Sequence, residues 1–147
     1  MVRTLDILSA RVLIVDDQQA HVQLLERAMR AAGYLDVHST MDPREVCELH
    51  RINQYAVILL DLKMPGMDGF EVMKGLRELE TDESLPVLVI TAEPGHKLRA
   101  LRAGARDFVT KPIDLAEVLM RIHNAIELRL LQLKLKLCSG KLALEPA

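Results

Sequence analysis

Tryptophan is absent from the sequence, and only four of its 147 residues are phenylalanine or tyrosine: Tyr34, Tyr55, Phe70 and Phe108. A core with so few rings must be aliphatic, and the aromatic platforms on which single-stranded nucleic acids stack are missing. A basic excess is also missing: 19 Lys and Arg stand against 21 Asp and Glu, a formal net charge of −2. Direct nucleic-acid binding is therefore not expected, since phosphate contacts need a cationic surface. Cysteine is scarce. Cys47 and Cys138 lie far apart, form no metal-ligand pattern and read as free thiols of a reducing compartment. No apolar run approaches the roughly 20 residues that cross a bilayer. The mixed stretch Met1 to Ala10, with Arg3 and Asp6, lacks the pattern of a secretion signal. A cytoplasmic protein without a membrane partner is expected.

What is present suits one ordinary domain. Half the residues are apolar and 27% are charged, enough to bury a core and stay in solution. Arg11 to Val15 is a short branched apolar run that stops at Asp16-Asp17, as a strand buried on both faces would. Gln18 to Ala32 carries Val22, Leu25, Ala28, Met29 and Ala32 at helical spacing, and Gly33 can close that helix. Val37 to Thr40 reads as a weaker strand. Asp42 can cap a following helix that has Pro43 at its first position. Ala56 to Leu60 is a second buried strand, ending before Asp61. Lys63 to Gly69 is a loop, Phe70 to Leu79 a helix, and Pro86 to Ile90 a strand ending at Thr91. A short helix over His96 to Ala103, a strand over Asp107 to Thr110 and a helix from Ile113 complete the pattern.

Strands that alternate with helices imply right-handed parallel crossovers. The expected fold is an α/β, flavodoxin-like, doubly wound (βα)5 sandwich with strand order 2-1-3-4-5 and an extended C-terminal helix. In such a sheet Asp16, Asp17, Asp61, Thr91 and Lys111 all follow or end strands at one edge. Ligands of open α/β sheets bind at that edge. Three carboxylates brought together repel, and a bound cation and a lysine can hold them ionised. Oxygen ligands favour a hard divalent ion, and few protein ligands with several waters favour magnesium. A carboxylate beside a metal and a lysine can attack phosphorus and form an aspartyl phosphate.

At these residues the sequence resembles the receiver domain of two-component response regulators, of the chemotaxis-regulator kind. The resemblance runs from about Arg11 to Glu127. It rests on Val15-Asp16-Asp17, Leu60-Asp61, Met64-Pro65-Gly66-Met67-Asp68-Gly69, Ile90-Thr91-Ala92, Gly104-Ala105 and Phe108-Val109-Thr110-Lys111-Pro112. It implies that Asp61 accepts phosphate from a histidine kinase or phosphotransfer protein. Asp17 would bind Mg2+ directly, Asp16 mainly through water, and the Lys63 backbone carbonyl would be a further ligand; Mn2+ would substitute. Thr91 would hydrogen-bond the phosphoryl group and Lys111 would contact it ionically. Phe108 stands where the family has a switch aromatic. The Lys111-Pro112 bond is expected to be cis, and Gly66 and Gly69 to be turn glycines. Lys63 and Glu93 flank the site and can pair. The segment from Thr91 to Lys111 is shorter than in most members and contains Pro94-Gly95.

Other readings fit less well. A phosphatase working through an aspartyl phosphate would want a second Asp two residues after Asp61, where this chain has Lys63. A flavin binder would want a phosphate-cradling loop after the first strand, where this chain has Asp16-Asp17-Gln18. A degenerate receiver serving only as an interaction or dimerisation module would not need the full acidic set. The chain is thus expected to be a signalling phosphoacceptor rather than an enzyme.

The final helix is expected to continue past Glu127. Leu119, Ile122, Ile126, Leu130, Leu133 and Leu137 are spaced 3, 4, 4, 3 and 4, a heptad-like seam with one stutter. Residues 1–10 then read as a lead-in, 11–127 as the receiver and 128–147 as a helical extension or truncated linker. A homodimer through that helix, or through the face of the receiver's fourth helix, fifth strand and fifth helix, is expected. The alternative for Leu131 onward is a hairpin turning at Ser139-Gly140. The 20 residues after Glu127 are too few for an output domain.

Overall fold

The computed structural model describes residues 2–79 and 85–144, with side chains described as far as Leu137. Five parallel strands form one sheet: β1 (Arg11–Val15), β2 (Asp36–Thr40), β3 (Val57–Asp61), β4 (Leu85–Thr91) and β5 (Ala105–Thr110). Their order is β2-β1-β3-β4-β5, as the alternation of elements predicts. The helices are α1 (Thr4–Leu8), α2 (Gln19–Ala31), α3 (Val46–Asn53), α4 (Gly69–Leu79), α5 (Lys97–Arg102) and α6 (Leu115–Leu144). Single 3-10 turns at Pro43–Glu45 and Pro94–His96 lead into α3 and α5.

Alternation along each strand divides the core. Val12 and Ile14 of β1 face a layer formed with α1, α2 and α6, while Leu13 and Val15 face a layer formed with α3, α4 and α5. Both layers are closed, which is why β1, β3 and β4 are apolar between their polar end residues Arg11, Asp61 and Thr91. Each fully buried Leu or Ile adds about 1.5–3 kcal/mol over leaving it exposed. Gly33, at φ +101°, ends α2 as its position predicts. Its amide donates to the Arg30 carbonyl and the Tyr34 amide to that of Met29. The Asp42 carboxylate caps the turn that precedes α3 by accepting from the Arg44 amide at 3.0 Å.

Three features go beyond or against the sequence reading. The lead-in contains a helix. In α1 the Arg3 amide donates to Asp6 Oδ2 at 2.9 Å, and Ile7 is buried in the same layer as Ile126. The final helix is continuous through Ser139-Gly140, so no hairpin turns there. The expected seam on that helix is covered only in part. Ile122 and Ile126 are core, Leu119 and Leu130 pack against it, and Leu133 and Leu137 border a 460 Å³ concavity with Val2, Arg3 and Asp6. Periodicity shows that a face is apolar but not whether the chain itself or a partner covers it. The leucines of α6 left exposed among the described residues are Leu128, Leu131, Leu133, Leu135 and Leu137.

Gly66, at φ +86°, is the turn residue expected. Gly69 is needed for a different reason. It opens α4 against the end of β3, and its amide donates to the Leu62 carbonyl at 3.0 Å. A Cβ at Gly69 would lie 2.8 Å from Leu62 Cα and 3.1 Å from the Asp61 carbonyl oxygen. These are backbone atoms and cannot swing aside. Gly69→Ala is expected to cost about 1–3 kcal/mol, read as a lower urea midpoint at unchanged slope.

Candidate functional site

The C-terminal ends of the strands bring the five polar residues to one edge of the sheet. Asp16 follows β1 and is 2% exposed. Its Oδ1 accepts from the Gln18 amide at 2.9 Å, and its Oδ2 lies 3.1 Å from His21 Nδ1. Asp17 is half-buried, and its Oδ1 is buried without a hydrogen-bond partner among the described residues. Asp61, the last residue of β3, is 3% exposed. Its Oδ1 accepts from the Lys63 amide at 3.1 Å and its Oδ2 from Lys111 Nζ at 3.3 Å. One oxygen from each of Asp16, Asp17 and Asp61 lies within 4.8 Å of the others.

The lysine arrives through the sheet. Asp61 pairs with Ile90 on β4, Thr91 pairs with Thr110 on β5, and the Lys111 amide donates to the Thr91 carbonyl at 2.8 Å. The Lys111-Pro112 peptide is cis, as expected. Thr91 is buried, and its hydroxyl oxygen accepts from the Glu93 amide at 3.1 Å. Asp61, Thr91 and Lys111 share a cavity of about 80 Å³, lined also by Gln18, Lys63, Glu93 and His96. That is room for a few waters or one phosphoryl group. Lys63 Nζ and Glu93 Oε1 stand 4.0 Å apart, an exposed pair that adds little stability. Phe108 is half-buried against the layer under α3, α4 and α5, and Lys97 Nζ lies 4.7 Å from its ring centroid.

The carboxylate set suits a hard divalent cation. All donors are oxygens, they converge, and one buried oxygen is unsatisfied. Burial pushes the Asp61 carboxyl above the usual carboxylate range, with the nearby Asp16 adding to it. The Lys63 amide and the Lys111 ammonium pull the other way without fully offsetting the desolvation. Two residues at this edge escaped the sequence reading. His21 was read only as part of a helix, and His96 only as the start of one. The spacing Glu93-x-x-His96 was the available signal for the second.

A raised carboxyl pKa means that the native protein holds this proton more tightly than the unfolded chain. Ionised Asp61 therefore costs stability at neutral pH, and the cost disappears as pH falls through the raised value. In chelator at pH 7, Asp61→Asn is expected to melt a few degrees higher than the native sequence. The gap should close as the pH approaches about 4, the carboxylate value of an unfolded chain. Thermal melts of both proteins across that interval check the sign.

The response regulator receiver domain model matches residues 12–123. Response regulator PleD of Caulobacter vibrioides is 38% identical over 138 residues, which is 91% of this chain and 30% of that protein. The chain spans 30% to 50% of the length of this and another curated relative, the cell cycle transcriptional regulator CtrA. Among solved structures, Vibrio cholerae chemotaxis protein CheY4 superposes with a TM-score of 0.72 at 30% identity, over 80% of this chain and 98% of that one. The receiver domain of the sensor histidine kinase PA1611 of Pseudomonas aeruginosa, solved with magnesium in its active site cleft, gives 0.72 at 26% identity, over 81% and 98%. With the sheet order, the acidic cluster and the lysine already in place, these matches establish that the chain belongs to the response regulator receiver domain family of two-component signalling.

Proposed function

We propose that Asp61 is the phosphoacceptor of this receiver, loaded from the phosphohistidine of a histidine kinase or a phosphotransfer protein. The observation that carries the reading is the position of Asp61. It is buried, 3.3 Å from Lys111 Nζ, and grouped with Asp16 and Asp17 in a set of convergent oxygens. A carboxylate oxygen of Asp61 attacks phosphorus. A P–O bond forms, the P–N bond to the donor histidine breaks, and that electron pair stays on the imidazole. Asp16, Asp17, Asp61 and the Lys63 carbonyl would hold Mg2+, or Mn2+ in its place. When bound, the ion supplies positive charge that keeps the carboxylates ionised and offsets charge on the phosphoryl oxygens. Lys111 contributes a second cation from the end of β5, and Thr91 a hydroxyl donor from the end of β4. Phe108 is the aromatic that changes seat when the pocket is charged. Pro112 and Gly69 support the backbone on either side of the site. The chain acts as a signalling phosphoacceptor in the cytoplasm rather than as an enzyme with a separate substrate.

The same reading gives α6 a role in assembly. Ile122, Ile126, Leu119 and Leu130 belong to the receiver's packing, so the exposed leucines Leu128, Leu131, Leu133, Leu135 and Leu137 are the ones available to a second copy. Sedimentation of the chain with and without residues 128–147 checks this, and an unchanged monomer mass at high concentration excludes the dimer.

Incubation with magnesium and acetyl phosphate tests the phosphoacceptor. The expected result is a mass gain of one phosphate, absent in Asp61→Asn and absent when the metal is chelated. Label that persists in Asp61→Asn would place the acceptor elsewhere.

A further inference from the structure

The two carboxylates that follow β1 are held in different ways. Asp16 is pinned on three sides. Its amide donates to the Thr40 carbonyl at 3.3 Å, its Oδ1 accepts from the Gln18 amide at 2.9 Å, and its Oδ2 lies 3.1 Å from His21 Nδ1. Asp17 Oδ1, by contrast, is buried without a hydrogen-bond partner among the described residues. An ionised carboxylate can only accept, so Nδ1 is the His21 nitrogen that carries a proton. The neutral ring with its proton there and the doubly protonated ring both present that N–H, so the bond is independent of the charge on the ring. The His21 and Val22 amides donate to the Gln18 carbonyl at 3.1 and 3.2 Å. The first turn of α2 therefore fixes the Gln18 and His21 donors relative to each other. Packing does not account for where His21 lies. The residues that α2 buries are Val22, Leu25 and Met29, while the His21 side chain is 32% exposed and reaches back five positions to a carboxylate that is almost wholly buried.

We propose that His21 is a positioning residue for the divalent cation: by donating to Asp16 Oδ2 it fixes the plane of that carboxylate and so sets how tightly the site holds the ion. The inference rests on the acidic set being a cation site, as read above. A carboxylate has about four lone-pair sites, and the Gln18 and His21 donors take one on each oxygen. The sites that remain are open to the water around the ion, and the two bonds set their direction. Asp17 brings the unsatisfied Oδ1, a vacant acceptor that the ion itself would satisfy. The adjacent acids thus divide the work, one framing the site and the other binding. Without the His21 N–H, Asp16 Oδ2 would be a second under-satisfied buried acceptor beside Asp17 and Asp61, and the carboxylate could turn about its χ2. The ion would then have to order Asp16 as it binds, at a cost in affinity. Hydrogen-bond partners that stand behind a metal ligand are typically worth roughly 10- to 100-fold in affinity.

Calorimetric titration of the full chain with magnesium chloride near neutral pH reads the affinity with no phosphoryl donor present. His21→Leu and His21→Ala are expected to bind the ion about tenfold more weakly than the native sequence. His21→Asn, whose side-chain N–H can stand where Nδ1–H does, is expected to recover most of that loss. The magnesium concentration that gives half the maximal rate of loading from acetyl phosphate is expected to rise in step with the calorimetric constant. Alanine is the best helix former, so His21→Ala gives the reading even if the leucine variant misfolds. Native affinity in the leucine or alanine variant overturns the proposal, and so does tighter binding, which would make the ring a competitor for Asp16. Equal weakening in His21→Ala and His21→Asn overturns it too, since the loss would then follow the ring and not its N–H. A native chain that takes up no magnesium overturns the cation reading along with this one.

Discussion

Asp61 is a carboxylate buried beside two others, and charge repulsion alone would not let such a group stay ionised. Desolvation and Asp16 both favour its protonated form, and a protonated carboxyl is a poor nucleophile. The counterweights within the chain are the Lys63 amide and one ammonium group, that of Lys111, which lies fifty positions away in sequence. Its reach depends on the whole right side of the sheet. The β3–β4 register sets Asp61 beside Ile90, the β4–β5 register sets Thr91 beside Thr110, and one backbone hydrogen bond then fixes Lys111. A slip of one residue in either pairing would turn Lys111 away from Asp61. The packing of the aliphatic core is therefore also what holds the charges in place.

Much of this arrangement could be read before any coordinates. Strands buried on both faces have no alternation, so Val12 to Val15 and Val57 to Leu60 stood out as apolar runs. An abrupt change to Asp at the end of such a run marks a sheet edge. Helix ends at Gly33 and Asp42 followed from backbone conformation and capping, which are local. What could not be read depends on what lies opposite a residue. Gly69 looked like another turn glycine, but the reason for it is Leu62 Cα and the Asp61 carbonyl packed beside its own Cα. Asp16, Asp17 and Asp61 could be assigned to one edge by topology. That His96 reaches the same cavity depends on the geometry of a single 3-10 turn.

The long C-terminal helix shows the same limit on a larger scale. Its heptad-like spacing predicted an apolar seam, and there is one. The seam is filled by the core as far as Leu130, while Leu133 and Leu137 stay exposed around a concavity beside α1, a helix of five residues too short to persist alone. The N-terminal segment and the start of the extension meet in one layer, where Ile7 is buried and Leu8 and Leu130 pack against the core. Of the exposed leucines, Leu133 and Leu137 border the concavity with Val2, Arg3 and Asp6, while Leu128, Leu131 and Leu135 lie on a different face of α6. Assembly through that face would leave α1 seated.

The turn and helix from Pro94 to Arg102 connect the site to the surface. Three of its residues have separate partners within four positions of one another. His96 lines the Asp61 cavity, Lys97 lies over Phe108, and Arg99 lies over Phe70. Each cation–π contact contributes about 0.5–1 kcal/mol at an exposed site. A phosphoryl group on Asp61 would add nearly two negative charges a few residues away, in a pocket that screens them less than water does. The segment that contributes His96 to the wall of the Asp61 cavity is therefore also the one that sets Lys97 over the half-buried ring of Phe108.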